Sequence, residues 1–267
     1  MLWTDAAPPR TYRFALVTGA SSGIGEAFAE ALPPDTSLLL AGRDHDRLTI
    51  VAERLARPGR EVATVAADLT SNAGRAMVIE RAERLGIDLL ISNAGVGRFG
   101  RLLDHRAEEE RETVELNVVA TVVLTHALLP GMLARARAAG ERAGMILVAS
   151  STAFTPVPYL ATYAASKAFD LSFGEALAEE LRGEPIDLLT LCPGATRTRF
   201  AERAGYAGGQ FPGAASPARV AREGLGALGR QTVHIVGASG LALAPVALAR
   251  YAVTGGLGAA LRRFVRP

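Results

Sequence analysis

"RFALVTGASSGIGEAFAEAL" (13–32) begins as an apolar run, passes through a turn rich in glycine and serine, and continues with apolar residues at helical spacing. The glycines of the turn are Gly19, Gly23 and Gly25, in a G-x-x-x-G-x-G pattern. Glycine permits a tight turn and lets backbone N–H groups approach an anion, which the positive end of the following helix also attracts. A buried strand, such a turn and a helix form the opening unit of a doubly wound α/β sheet.

The rest of the 267-residue chain repeats that alternation. Strand-like runs stand at 37–43, 61–69, 87–95, 144–151, 186–194 and 232–237. Helical patterns lie between them: 44–57 with Asp44 as its cap, 71–85, 107–140 as one long helix or two, and 162–181. Near-continuous apolar strands alternating with helices predict a single-domain Rossmann fold. Its parallel sheet would have about seven strands, with helices on both faces. No linker or repeat divides the sequence, so one domain is expected over 1–267, with 238–267 a hydrophobic C-terminal extension.

Composition narrows the function classes. One cysteine, Cys192, forbids an internal disulfide, and its apolar setting reads as a buried thiol. Net charge is +2 and no basic block is interleaved with aromatics, which argues against nucleic-acid binding. His45, His105, His126 and His234 lack ligand spacing, so no metal site is expected. The stretch "MLWTDAAPPRTYR" lacks the layout of a signal peptide, and the expected location is cytoplasmic. The apolar C-terminal stretch is interrupted by Pro245 and Arg250. Packed terminal helices are expected there, with contact to a membrane surface or a partner subunit as the alternative.

In its position after the first strand, the glycine turn reads as the pyrophosphate cradle of a dinucleotide site. The second strand would then end beside the adenosine ribose. An acidic residue at that end suits NAD, but this chain has "LLLAGRD". Gly42 leaves space and Arg43 offers a guanidinium that can fork onto a 2′-phosphate, so NADP is expected over NAD.

"YAASK" (163–167) holds the only lysine among 29 Lys and Arg residues. Residues i and i+4 share a helix face, so Tyr163 and Lys167 are neighbours. A phenol titrates near pH ~10, and an adjacent ammonium lowers that value toward the range useful for proton transfer. The composition makes this lysine a specific requirement, since surface positive charge here is otherwise all arginine.

Six short motifs in order complete the pattern: "TGASSGIG" (18–25), "NAG" (93–95), "LNV" (116–118), "VASS" (148–151), "YAASK" (163–167) and "PGATRT" (193–198). On these motifs the chain, from about Tyr12 to Gly237, resembles the short-chain dehydrogenase/reductase family. The resemblance implies that Tyr163 is the general acid/base, Lys167 its partner and a ribose ligand, and Ser150 the residue steadying the substrate oxygen. Asn117 matches the asparagine of a proton relay. Cofactor contacts are implied for Gly19, Ser21, Ser22, Gly23, Ile24 and Gly25 of the turn, for Arg43, and for Asp68 and Leu69. They are also implied for Asn93, Ala94 and Gly95, for Pro193 and Gly194, and for Thr196 and Thr198. The expected enzyme is an NADP(H)-dependent oxidoreductase interconverting a carbonyl and a secondary alcohol on a small, fairly apolar substrate. A homodimer or homotetramer is implied by the same resemblance. Two alternatives stay open: a non-catalytic NADP-binding sensor or scaffold, and an epimerase or dehydratase on the same fold. Specificity is expected to reside in 95–104, 152–161 and 197–217, which are mostly apolar.

Overall fold

The computed structural model describes residues 11–206, 213–237 and 239–261. Seven parallel strands line up in the order β3-β2-β1-β4-β5-β6-β7. They are β1 (Phe14–Thr18), β2 (Ser37–Gly42), β3 (Val62–Ala66), β4 (Leu89–Ser92), β5 (Ala143–Val148), β6 (Ile186–Cys192) and β7 (Val233–Ile235). The helices are α1 (Gly23–Ala31), α2 (His45–Leu55), α3 (Asn72–Leu85), α4 (Ala107–Val114), α5 (Ala120–Ala139), α6 (Ala161–Glu180), α7 (Phe200–Arg203), α8 (Pro217–Ala227) and α9 (Ser239–Leu261). The expected Rossmann-type α/β architecture is the one observed.

Burial explains why the strands lack polar alternation. Every residue of β1, β4, β5 and β6 is buried. Leu16, Leu39, Leu90 and Leu147 point into a core shared with Leu124, Leu128 and Met132 of α5. Ala15, Val17, Leu38, Leu40 and Ile91 point the other way, against Phe28 of α1 and Val220 of α8. Each fully buried leucine contributes roughly 1.5–3 kcal/mol, and here both faces of a strand supply such residues. The apolar helix window within 107–139 is long enough to cross a membrane, yet Leu124, Leu128 and Met132 in it are core residues.

Local chemistry sets several element boundaries. Asp44 caps α2 by accepting the Arg47 N–H at 3.0 Å, as its position in the sequence predicts. Ser71 and Ser216 cap α3 and α8 in the same way. The apolar runs 61–69, 87–95, 144–151 and 186–194 overshoot their strands, because "ADL", "NAG", "SS" and "PG" leave the ladder to form loops at its carboxyl edge. The pattern at 107–140 is two α-helices joined by a π-helical turn, Glu115–Val119, with Asn117 inside it. One wide turn shifts the helix face without ending the helix, a feature frequent at functional sites.

The described part of the C-terminal extension is one helix, α9, rather than several. It packs on α6, where Arg250 reaches Glu175 (Nε to Oε2, 3.0 Å) and Ser172 (3.1 Å). Val246, Leu248, Tyr251 and Val253 of α9 remain exposed, so the expected packed C-terminus is only partly packed. The leading residues of the chain, part of the 197–217 segment (207–212) and the end of the extension (262–267) lie outside the described residues.

Gly174 shows how closely α6 lies on the sheet. A Cβ there would sit 2.0 Å from Thr190 Oγ1 of β6. Gly174→Ala should therefore destabilise the fold by about 1–3 kcal/mol through overpacking. Urea denaturation measures this, and an unchanged midpoint would refute such close packing.

Candidate active site

The strand order reverses between β1 and β4, and in open α/β sheets ligands bind at the carboxyl ends of strands at that point. Thr18 joins the two strand ends. Its Oγ1 accepts the N–H groups of Asn93 and Ala94, each at 2.9 Å, and its carbonyl accepts Asn93 Nδ2 at 2.9 Å. Asn93 thus supports the glycine turn from behind.

The turn itself leaves no room for side chains. Gly19 and Gly23 have φ of +65° and +64°. A Cβ on Gly25 would lie 2.4 Å from Gly19 O and 2.6 Å from Asn93 Nδ2. Ser22 occupies the N-cap of α1 but makes no side-chain cap bond, which leaves the first N–H groups of the helix directed outward. Ser21 is partly buried, with its carbonyl accepting Arg47 Nε at 3.0 Å, while Ile24 packs against the core. Thr198 covers the turn: a Cβ on Gly23 would be 3.1 Å from its Cγ2. Thr196 Oγ1 donates to Gly194 O at 3.0 Å, and Pro193 O accepts the Ser151 N–H at 2.8 Å. This closely spaced turn fits a dinucleotide pyrophosphate.

Beyond the carboxyl ends of β2 and β3, Arg43 is exposed and Asp68 accepts the Thr70 N–H at 3.0 Å. Leu69 lies in the core, and its carbonyl accepts Arg75 Nη1 at 2.9 Å. The counter-ion of Arg43 is Glu112 of α4, whose carboxylate takes Arg43 Nη1 at 2.9 Å and Arg98 Nη2 at 2.9 Å. Arg47 and Arg203 also belong to this basic group. Burial lowers the pKa of Arg203, and the charges of Arg199, Arg43 and Arg47 lower it further. Glu112, Arg47 and Arg203 went unnoticed in the sequence because three different elements bring them together.

On the other side of the switch point stand Ser150, Tyr163, Lys167 and Asn117. Ser150 follows β5; its Oγ accepts the Thr152 N–H at 3.2 Å and lies close enough to the Tyr163 phenol to lower its pKa. The partly buried Tyr163 ring lies against Phe200, with centroids 5.0 Å apart, and over Gly97, where a Cβ would come within 2.8 Å of the ring. Lys167 is buried, and its Nζ donates to Val148 O and to Asp170 Oδ2, each at 2.9 Å. A Cβ on the exposed Gly95 would lie 3.3 Å from Asn117 Oδ1 and 3.6 Å from Lys167 Nζ, so these groups share one corner. The Asn117 amide holds Val96 in both directions (3.0 and 2.9 Å) and donates to Ser166 Oγ at 2.9 Å, which ties the 93–96 loop to α6.

One expectation changes sign. Burial raises the pKa of the Tyr163 phenol above its ordinary value; Lys167 and Ser150 work against the rise, and Asp170 adds to it. Lysine acts in the anticipated direction, but its charge is answered by a carboxylate that the sequence reading did not weigh.

An aromatic rim surrounds the site mouth. Phe99 meets Tyr206 edge-on at 5.0 Å and Tyr159 at 6.3 Å. Tyr159 is exposed and has φ +66°, unusual for a residue with a side chain, and its carbonyl accepts the Gly100 N–H at 2.9 Å.

The short chain dehydrogenase family model matches residues 13–206. A short chain dehydrogenase of Pseudocercospora fijiensis is 33% identical over 191 residues, covering 70% of this chain and 60% of that relative. The 1-deoxy-11-beta-hydroxypentalenate dehydrogenase of Streptomyces exfoliatus is 37% identical over 195 residues, 70% of this chain and 68% of its own length. Among solved structures, a Sphingobium yanoikuyae short-chain dehydrogenase in complex with NADPH superimposes with a TM-score of 0.79 at 29% identity, over 95% of this chain and 96% of the other. A Burkholderia phymatum member in complex with NAD gives 0.77 at 25% identity, over 88% and 92%. The chain belongs to the short-chain dehydrogenase/reductase family. It is an oxidoreductase acting on alcohol or carbonyl groups with a nicotinamide dinucleotide.

Because the Gly25 position meets backbone on one side, Gly25→Ala must displace the turn. Dinucleotide affinity should fall at least about tenfold, the equivalent of one lost hydrogen bond to a charged group. Titration of NADPH fluorescence measures this, and unchanged affinity would remove the turn from the cofactor site.

Proposed function

We propose that this protein is an NADP(H)-dependent oxidoreductase that interconverts a carbonyl and a secondary alcohol on an apolar, ring-bearing substrate, with Tyr163 as general acid/base. The observation that carries the reading is the meeting of Ser150, Tyr163 and Lys167 at the carboxyl edge, with Asn117 bracing their corner. When bound, the nicotinamide dinucleotide supplies or accepts hydride. Ser150 holds the substrate oxygen beside the phenol, and Tyr163 gives that oxygen a proton in reduction or takes one in oxidation. Burial keeps the phenol protonated, the form that reduction uses. Lys167 balances the phenolate once the proton has left.

Support for NADP comes from the guanidinium group of Arg43, Arg47 and Arg203, a set suited to a 2′-phosphate. Glu112 sets a threshold, since a phosphate must compete with it for Arg43. Phe99, Tyr159, Phe200 and Tyr206 favour an apolar ring in the substrate.

Two measurements test this. Tyr163→Phe should lower turnover of NADPH with a ketone panel by about 10²–10⁴-fold while NADPH affinity stays within about twofold; near-normal turnover would sink the mechanism. Arg43→Ala should weaken NADP binding about tenfold or more, the scale of a lost charge-assisted contact, and leave NAD unchanged. Equal losses for both nucleotides would make Arg43 ordinary surface.

A further inference from the structure

Three residues beyond Lys167, α6 carries a second buried charge. The side chains of Lys167 and Asp170 are 6% and 3% exposed, and Asp170 Oδ2 lies 2.9 Å from Nζ. Asp170 Oδ1 takes no hydrogen bond among the described residues. Its surroundings are apolar: Ala149, Leu171 and Cys192 form a small buried cluster at this end of the sheet. A carboxylate there is costly to bury unless it is paired, and removing either partner strands the other charge. The pair also engages a second Lys167 donor, the first being held by Val148 O. An ammonium has three donors, so two anchors fix the direction of the third.

We propose that Asp170 is a positioning residue of the active site, which pins Lys167 as an ammonium and sets the pH range over which the Tyr163–Lys167 couple works. Its second part rests on the proton chemistry assigned to Tyr163 above; its first part does not.

The neighbouring charges support the pairing. Burial by itself lowers the pKa of Lys167, but Asp170 first and Tyr163 second outweigh it, and the net shift is upward. Burial raises Asp170, with Lys167 opposing. From β6, Cys192 faces the pair, and burial pushes its thiol up to about 12, so it remains neutral. Glu175, further along α6, acts on the same cysteine and is itself matched by Arg250 of α9. Asp170 is thus the anion that answers Lys167. Its negative charge favours a protonated lysine and a protonated phenol alike. Without it, both groups release protons at lower pH.

The chain's single lysine makes this measurable on the intact protein. With ¹³C,¹⁵N-lysine labelling, NMR sees one side-chain signal, which can be titrated in the wild type, Asp170→Asn and Asp170→Val. Circular dichroism identifies the variants that fold, and Val nearly conserves the volume where Asn retains polarity. The wild-type ammonium should persist to higher pH than free lysine, and the folded variants should titrate at lower pH than the wild type. Coincident titrations would overturn the proposal. This readout needs no turnover, so it stands even if no carbonyl substrate is reduced and the functional reading fails. Given turnover, both limbs of the pH profile for alcohol oxidation should move to lower pH in the variants. A uniform loss of rate with an unmoved profile would reduce Asp170 to a packing residue.

Discussion

Thr18 holds the carboxyl ends of β1 and β4 together at the one place where the strand order reverses. A crevice has to open there, because the helices after the two strands leave on opposite faces of the sheet. By accepting two N–H groups and one amide, Thr18 fixes the gap between the glycine turn and the "NAG" loop. The glycine turn and the Tyr163–Lys167 corner are both referenced to that gap. Asn117 extends the brace, since its amide joins Val96 of the same loop to Ser166 of α6, whose hydroxyl donates to the Tyr163 carbonyl at 2.7 Å. A run of hydrogen bonds therefore connects the first strand with α6.

Within that frame the electrostatics of the site form a balance of three groups. Burial disfavours the phenolate and the free ammonium, and each becomes tolerable through a neighbour of opposite charge. Burial is the largest influence on the Tyr163 phenol and raises its pKa, Lys167 opposes that rise, and the Asp170 carboxylate adds to it. The result is a phenol held in its acid form beside a lysine held in its charged form. That state suits proton donation to a carbonyl oxygen, and proton removal from an alcohol then calls for more alkaline conditions.

The adenosine end follows similar logic at the surface. Several guanidinium groups gather around Arg43, and a single carboxylate, Glu112, is shared between Arg43 and Arg98. Exposed pairs of this sort are weak individually. They orient the arginines without holding them firmly. Arg98 belongs to the loop that also carries Phe99 of the aromatic rim, so Glu112 links Arg43 to that loop through one side chain.

Much of this was legible in the sequence because it depends on local rules. Apolar strands, the glycine turn, the Asp44 cap and the i, i+4 spacing of Tyr163 and Lys167 are all set by residues adjacent along the chain or along a helix face. Boundaries were less legible where loops continue an apolar run past the end of its ladder, and the π turn at Asn117 has no marker in residue type. Asp170 did leave a trace: it falls on the inward stripe of α6 with Ala164, Lys167 and Leu171, an unusual place for a carboxylate. The sequence by itself determined the αβ alternation, the glycine turn and the pairing of Tyr163 with Lys167, since each arises from short-range geometry. Only the tertiary structure decided the sign of the Tyr163 shift, the Glu112 bridge and the aromatic rim. Desolvation and charge pairing depend on which distant elements surround a group, and no spacing along the chain encodes that.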